Sequence, residues 1–224
     1  MSRRAVRSIP DPLSSILRVA ARLFLLACIA LTPSVVAQGT APVLLVLGDS
    51  ISAGYGLARG ESWVDLLASR LAREGYRERL VNASISGDTT AGGRARLPAL
   101  LREHRPAIVV IELGGNDALR GGDLDATRAN LDAIVKAVLA AHAKPLLLGV
   151  KVPPNYGSAY ARRFDALFGD VAKANKVPLV PYVFEGFGDD LGQFQEDRIH
   201  PKAAAESRIL DNVWPTLAPL LARR

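Results

Sequence analysis

The amino-acid sequence predicts an α/β fold: a three-layer α/β/α sandwich whose parallel sheet of about five strands lies between two helical layers. Three observations carry this reading. Continuous apolar runs, bounded by turn residues and lacking polar alternation, occur at 43–47, 108–113, 145–150 and 179–183, with a weaker run at 79–83. Runs of that kind suit strands covered on both faces. They are separated by roughly thirty residues, too far for hairpins, so right-handed crossovers are required. The intervals are helical, most clearly at Leu131, Ile134, Val135, Val138 and Leu139, which recur on one helix face.

Taken in chain order, the N-terminal segment comes first. Arg3, Arg4, Arg7, Arg18 and Arg22 precede an uncharged apolar run at 23–31 and a small-residue stretch ending at Ala37. That is the order of an export signal. Val35 and Ala37 occupy the small-residue positions before a cleavage point, so 1–37 is expected to be a signal peptide and 38–224 one domain. The apolar run is too short to span a bilayer comfortably, and no stable membrane span is expected after processing. Cys28, the single cysteine, lies inside it after Leu25-Leu26-Ala27, a loose likeness to a lipoprotein site, but apolar residues continue beyond it. A cysteine there serves as a small hydrophobe. The domain that remains has neither thiol nor disulfide.

Removing the leader also changes the charge. The whole chain carries 28 basic and 22 acidic residues; without five arginines and Asp11 the balance is 23 to 21, or +2. A near-neutral domain argues against a nucleic-acid partner. Its length suits one domain with a single core.

In parallel sheets, ligands sit beyond the carboxyl ends of the strands, and polar, glycine-containing clusters follow the apolar runs here. They are Gly48-Asp49-Ser50, Ser86-Gly87-Asp88-Thr89, Gly114-Gly115-Asn116-Asp117 and Asp197-Arg198-Ile199-His200. Serine attacks a carbonyl only if a base takes its proton, and the base needs a third group to hold its tautomer. Three histidines are available. His104, after a helix ending near Arg102, and His142, at the end of the Leu131 stripe, suit solvated positions favoured by helix C-termini. His200 has Asp197 three positions earlier and Pro201, suited to the first turn of a helix, after it. Ser50 suits a helix N-cap, a place that also aims its backbone N–H at a developing oxyanion. Gly87 and Asn116 suit turns, or further oxyanion donors. The helix carrying the Leu131 stripe is expected to start at Asp123 or Asp125.

These blocks resemble a known family. GDSISAGYG, NASISGDTT, GGND and DRIH followed by Pro201 look like the four blocks of the GDSL or SGNH hydrolases, in order and at family spacing. The connecting segments ARLPALL, ELGGNDALRG and PPNYGSAY are similar to those of its multifunctional thioesterase and lysophospholipase subgroup, and the likeness covers about 43–221. The resemblance implies a flavodoxin-like SGNH hydrolase fold, with Ser50 as nucleophile, His200 as general base and Asp197 as its orienting acid. It also implies an oxyanion hole of the Ser50 N–H, the Gly87 N–H and the Asn116 amide, with Asp49 and Asp117 holding the loops. Val152, Pro153 and Tyr156 become the expected wall of an acyl groove. The substrate would be a small-molecule acyl ester or thioester (acyl-CoA, lysophospholipid or aryl ester), the location periplasmic or secreted, the state monomeric, and no metal or organic cofactor is expected. Pro215 departs from the family pattern and questions how far the last helix runs unbroken.

Other readings fit less well. An acetylesterase would use the same clusters with a smaller acyl pocket. A receiver-type signalling domain needs paired acids after the first strand and a lysine after the fifth, where Asp49 stands alone and Pro181 follows Val180. A dinucleotide-binding domain needs Gly-x-Gly-x-x-Gly after the first strand, which GDSISAG does not supply. A noncatalytic lipid-binding relative would keep the motif without turnover. A Gly-x-Ser-x-Gly elbow is missing, against the larger α/β-hydrolase fold.

Overall fold

The computed structural model describes residues 41–152 and 154–222. The expected signal peptide and Pro153 lie outside the described residues. Five strands, β1 (Val43–Gly48), β2 (Arg79–Asn82), β3 (Ile108–Glu112), β4 (Lys144–Leu148) and β5 (Leu179–Val180), form one sheet in the order β2-β1-β3-β4-β5. Every pairing is parallel. The order reverses beside β1, so the β1/β3 carboxyl edge is a topological switch point, where a crevice opens.

Seven helices surround the sheet among the described residues: α1 (Ser50–Ala53), α2 (Trp63–Arg73), α3 (Thr90–His104), α4 (Gly115–Leu119), α5 (Leu124–Ala140), α6 (Ser158–Asn175) and α7 (Ala203–Leu217). Helix α2 packs on α7, while α3 packs on α5 and α5 on α6, giving the two outer layers. β1 and β3 are buried along their whole length, as expected of strands covered on both faces. The buried α5 positions include Leu131, Ile134, Val135 and Val138, whereas Leu139 at the end of the stripe is 41% exposed. No helix among the described residues is long and apolar enough to cross a membrane.

Local details depart from expectation for identifiable reasons. β5 stops at Val180 rather than 183, because Pro181 has no N–H for the ladder. The chain rejoins the sheet edge at once, with the Val183 N–H on the Gly149 carbonyl at 3.0 Å. The cap of α1 is Asp49, whose carboxylate accepts the Ile51 N–H at 3.0 Å, so Ser50 is the first helical residue and not the cap. Helix α3 continues through Arg102 to His104. Asp123 caps α5 and Asp125 lies in its first turn. Pro201 precedes α7 rather than opening it: it is bridged to Phe194, and its carbonyl accepts from Gln195 Nε2 at 3.0 Å. Pro215 does not stop α7, which runs to Leu217 before tightening into a 3₁₀ turn at Ala218–Leu220.

Candidate active site

β1 delivers the chain to Asp49 and Ser50, and α1 begins there because Asp49 captures an N–H of its first turn. As the first residue of α1, Ser50 has a backbone N–H with no carbonyl four residues back to accept it. Its Oγ lies 2.8 Å from His200 Nε2. His200 Nδ1 lies 2.6 Å from Asp197 Oδ2, and Asp197 Oδ1 accepts the backbone N–H groups of Ile199 and His200 at 2.9 and 3.0 Å. The turn that brings carboxylate and ring together passes through Arg198 in the left-handed region, φ 59°. Burial pushes the Asp197 carboxyl up, but the His200 backbone N–H, the His200 ring and the Ile199 N–H outweigh it and hold the group below its ordinary range. A carboxylate that stays ionised fixes the tautomer with the proton on Nδ1, leaving Nε2 to accept from Ser50.

The 2.8 Å contact joins residues 150 positions apart, and Gln195 keeps it in place. Gln195 Nε2 donates to the Tyr55 carbonyl at 2.8 Å and to the Pro201 carbonyl at 3.0 Å, while its N–H holds the His200 carbonyl at 2.8 Å. The Tyr55 ring lies against the imidazole, centroids 4.4 Å apart. Gln195 does not stand out in the sequence, since a lone glutamine in a loop carries no motif, and Tyr55, although inside the GDSISAGYG block, has no role assigned to it there. His104 and His142 lie on α3 and after α5, and neither lines the cleft that holds Ser50.

Ser50, Asp197 and His200 open into a cleft of about 1450 Å³ that Gly87 and Asn116 also line. Gly87 has φ 79°, a conformation that favours glycine, and its carbonyl accepts from Arg120 Nη2 at 3.0 Å. Asn116, in α4, donates one amide N–H to Asp49 Oδ2 at 3.0 Å. Asp117 accepts from the Thr90 N–H at 2.9 Å and the Thr90 hydroxyl at 2.6 Å, tying α4 to α3. Arg96 ties the same loops from α3: Nε meets Asp88 Oδ2 at 2.7 Å, Nη1 donates to the Ala83 carbonyl, and Nη2 donates to the Gly48 carbonyl at 3.3 Å.

Val152 and Tyr156 line the cleft, and the Tyr156 hydroxyl donates to the Leu119 carbonyl at 2.8 Å. Pro153, the third expected wall residue, is outside the described residues. A further apolar wall comes from Tyr182, Phe184, Phe187, Leu191 and Phe194, where Phe184 packs edge-on against Phe194 at 5.4 Å. Sequence reasoning overlooked this wall because its segment has neither strand alternation nor helical period.

Residues 46–207 match the GDSL-like Lipase/Acylhydrolase family. The chain belongs to that family. It is 54% identical over 199 residues to "Esterase TesA" of Pseudomonas aeruginosa, covering 89% of this chain and 98% of that protein. It is 43% identical over 181 residues to "Thioesterase 1/protease 1/lysophospholipase L1" of Escherichia coli K12, covering 81% and 86%. A crystal structure of TesA superposes with a TM-score of 0.78 at 56% identity, over 80% of this chain and 99% of that one. The resemblance in the four sequence blocks therefore reflects family membership, and the fold is shared with solved SGNH hydrolases.

Proposed function

We propose that this acylhydrolase cleaves acyl esters and thioesters through an acyl-enzyme on Ser50. The observation that carries the proposal is the continuous hydrogen-bonded series Ser50–His200–Asp197 at the floor of an apolar cleft. His200 takes the Ser50 proton as Oγ attacks the carbonyl, and Asp197 stabilises the imidazolium that forms. The oxyanion is received by the Ser50 N–H, the Gly87 N–H and the second amide N–H of Asn116. His200 then protonates the leaving alcohol or thiol. A water molecule activated by the same ring hydrolyses the acyl-enzyme and regenerates Ser50.

The names of the relatives support ester, thioester and lysophospholipid substrates. An acyl chain lies along Val152, Tyr156 and the aromatic segment 182–194. Such apolar walls grade substrates by length rather than select one. The arginine-rich N-terminal segment supports export, with the protein acting as a monomer in the periplasm or outside the cell after cleavage near Ala37. An organophosphonate should label wild type at Ser50 and leave a folded Ser50→Ala variant unlabelled and inactive on every ester. Labelling at another residue overturns the assignment.

A further inference from the structure

Beneath the nucleophile lies a carboxyl group that the acyl-transfer steps do not use. Glu112 is the last residue of β3, paired in register with Gly48 of β1, and is 1% exposed. Its Oε2 accepts the Ser52 hydroxyl at 2.8 Å and the Asp49 N–H at 3.4 Å. Its Oε1 is buried and meets no N–H or O–H donor among the described residues. The side chain lies beside Asp49, itself 3% exposed, whose own N–H reaches the Oε2 that the Ser52 hydroxyl also meets.

Two adjacent carboxylates out of water cannot both be charged without a cation beside them. The charges facing the pair are few. Arg96 is spent on Asp88 and on the Ala83 and Gly48 carbonyls, and the His200 ring attracts the Asp49 carboxylate. One proton is therefore shared by the pair, and the donors decide its place. Asp49 has a donor on each oxygen, the Ile51 N–H at 3.0 Å and the Asn116 amide at 3.0 Å, which suits an anion. Glu112 has an oxygen with none, which suits an acid.

We infer that Glu112 is a neutral carboxylic acid that donates its proton to the Asp49 carboxylate, and that this bond positions the Asn116 amide while keeping a second negative charge from beneath Ser50. Burial, reinforced by the negative Asp49, holds Glu112 well above the usual carboxylate range. Burial likewise pushes Asp49 up to about 6, against the pull of the Ile51 N–H, Glu112, Asn116 and His200. Glu112 is a positioning residue: it acts on substrate through Asp49 and Asn116. Its effect on turnover rests on the reading of Asn116 as an oxyanion donor.

Infrared spectroscopy of the resting protein and steady-state kinetics test the two halves separately. In a Glu206→Gln background, which removes the second buried carboxyl pushed up to about 7, the protein at neutral pH should show the carbonyl stretch of a buried protonated carboxylic acid, and adding Glu112→Gln should abolish it. Glu112→Gln retains a donor toward Asp49 and should keep kcat within about threefold of wild type. Glu112→Ala should lower kcat about tenfold with little change in KM, part of the 10²–10³ that loss of a whole donor costs. A missing acid band, or its persistence once Glu112→Gln is added, overturns the assignment of the proton, whatever the enzyme's activity. A folded Glu112→Gln as impaired as Glu112→Ala, or an unaffected Glu112→Ala, overturns the positioning role. Should Glu112→Ala fail to fold, the band and the Glu112→Gln kinetics still decide.

Discussion

A carboxamide has two N–H bonds, and at Asn116 one is taken by Asp49 Oδ2 at 3.0 Å. The other is held at a fixed angle, which is what an oxyanion donor requires, because a donor that must reorient during reaction loses much of its advantage. Asn116→Ala should lower kcat by roughly 10²–10³ with a much smaller change in KM, since in the proposed role the charge it would bind exists only in the transition state. An unchanged kcat would remove Asn116 from the oxyanion hole. The pH dependence has a definite sign. Hydrogen bonds keep Asp197 ionised below the ordinary carboxylate range, so it contributes no loss of activity on mild acidification. With His200 as the proposed base, only a neutral imidazole accepts the serine proton, so kcat/KM should fall as pH falls. His104→Gln and His142→Gln should leave that limb in place; its loss in either would assign the base elsewhere.

The elements owe their ends to a few polar groups, and one of these makes stability depend on pH. Glu206, in the first turn of α7, is 1% exposed and accepts the Trp63 N–H at the start of α2 at 2.6 Å. Burial pushes its carboxyl up to about 7, against the pull of the Trp63 N–H, with the charge of Asp65 adding to the rise. The folded state thus binds this proton more tightly than the unfolded chain, whose value is near 4.5. The stabilisation is present in full below the unfolded value and is lost as pH rises through about 7. Glu206→Gln carries no charge to bury, so its Tm should fall less between about pH 5 and pH 8, by an amount worth roughly 2–3 kcal/mol by linkage. Parallel Tm profiles for the two proteins would show that Glu206 is not titrating in the fold.

At the scale of the whole molecule, the parallel sheet puts the segments that follow all five strands around one cleft, and apolar side chains dominate the walls away from Ser50. Each buried methylene contributes about 0.8 kcal/mol, close to fourfold in kcat/KM, until the chain outgrows the wall. With nitrophenyl esters, kcat/KM should climb from acetyl to medium chains and then level. Val152→Ser, which puts a hydroxyl on a wall residue only 9% exposed, should flatten the climb. A maximum at acetyl with a steep fall by butyryl would instead favour a short-acyl esterase.

Much of this molecule is legible in the sequence, because it depends on short-range pattern. Buried parallel strands must be continuously apolar, so 43–47 and 108–113 announce a sheet, and nucleophile, base and acid come as recognisable types in short blocks. Ser50 and His200 stand out for that reason, although nothing local says that they meet. The tertiary structure alone decides what depends on distance between remote residues. Glu112 reads as one charge inside an apolar run, and only the register of β1 with β3 brings it beneath Asp49. Gln195 becomes a clamp only because Tyr55, 140 residues earlier, is folded against it. The aromatic wall at 182–194 exists because the chain after β5 turns back over the cleft. Periodicity follows from the covalent spacing of the backbone and can be read along the chain, whereas charge state and pocket shape follow from which groups exclude water together, which only the folded chain specifies.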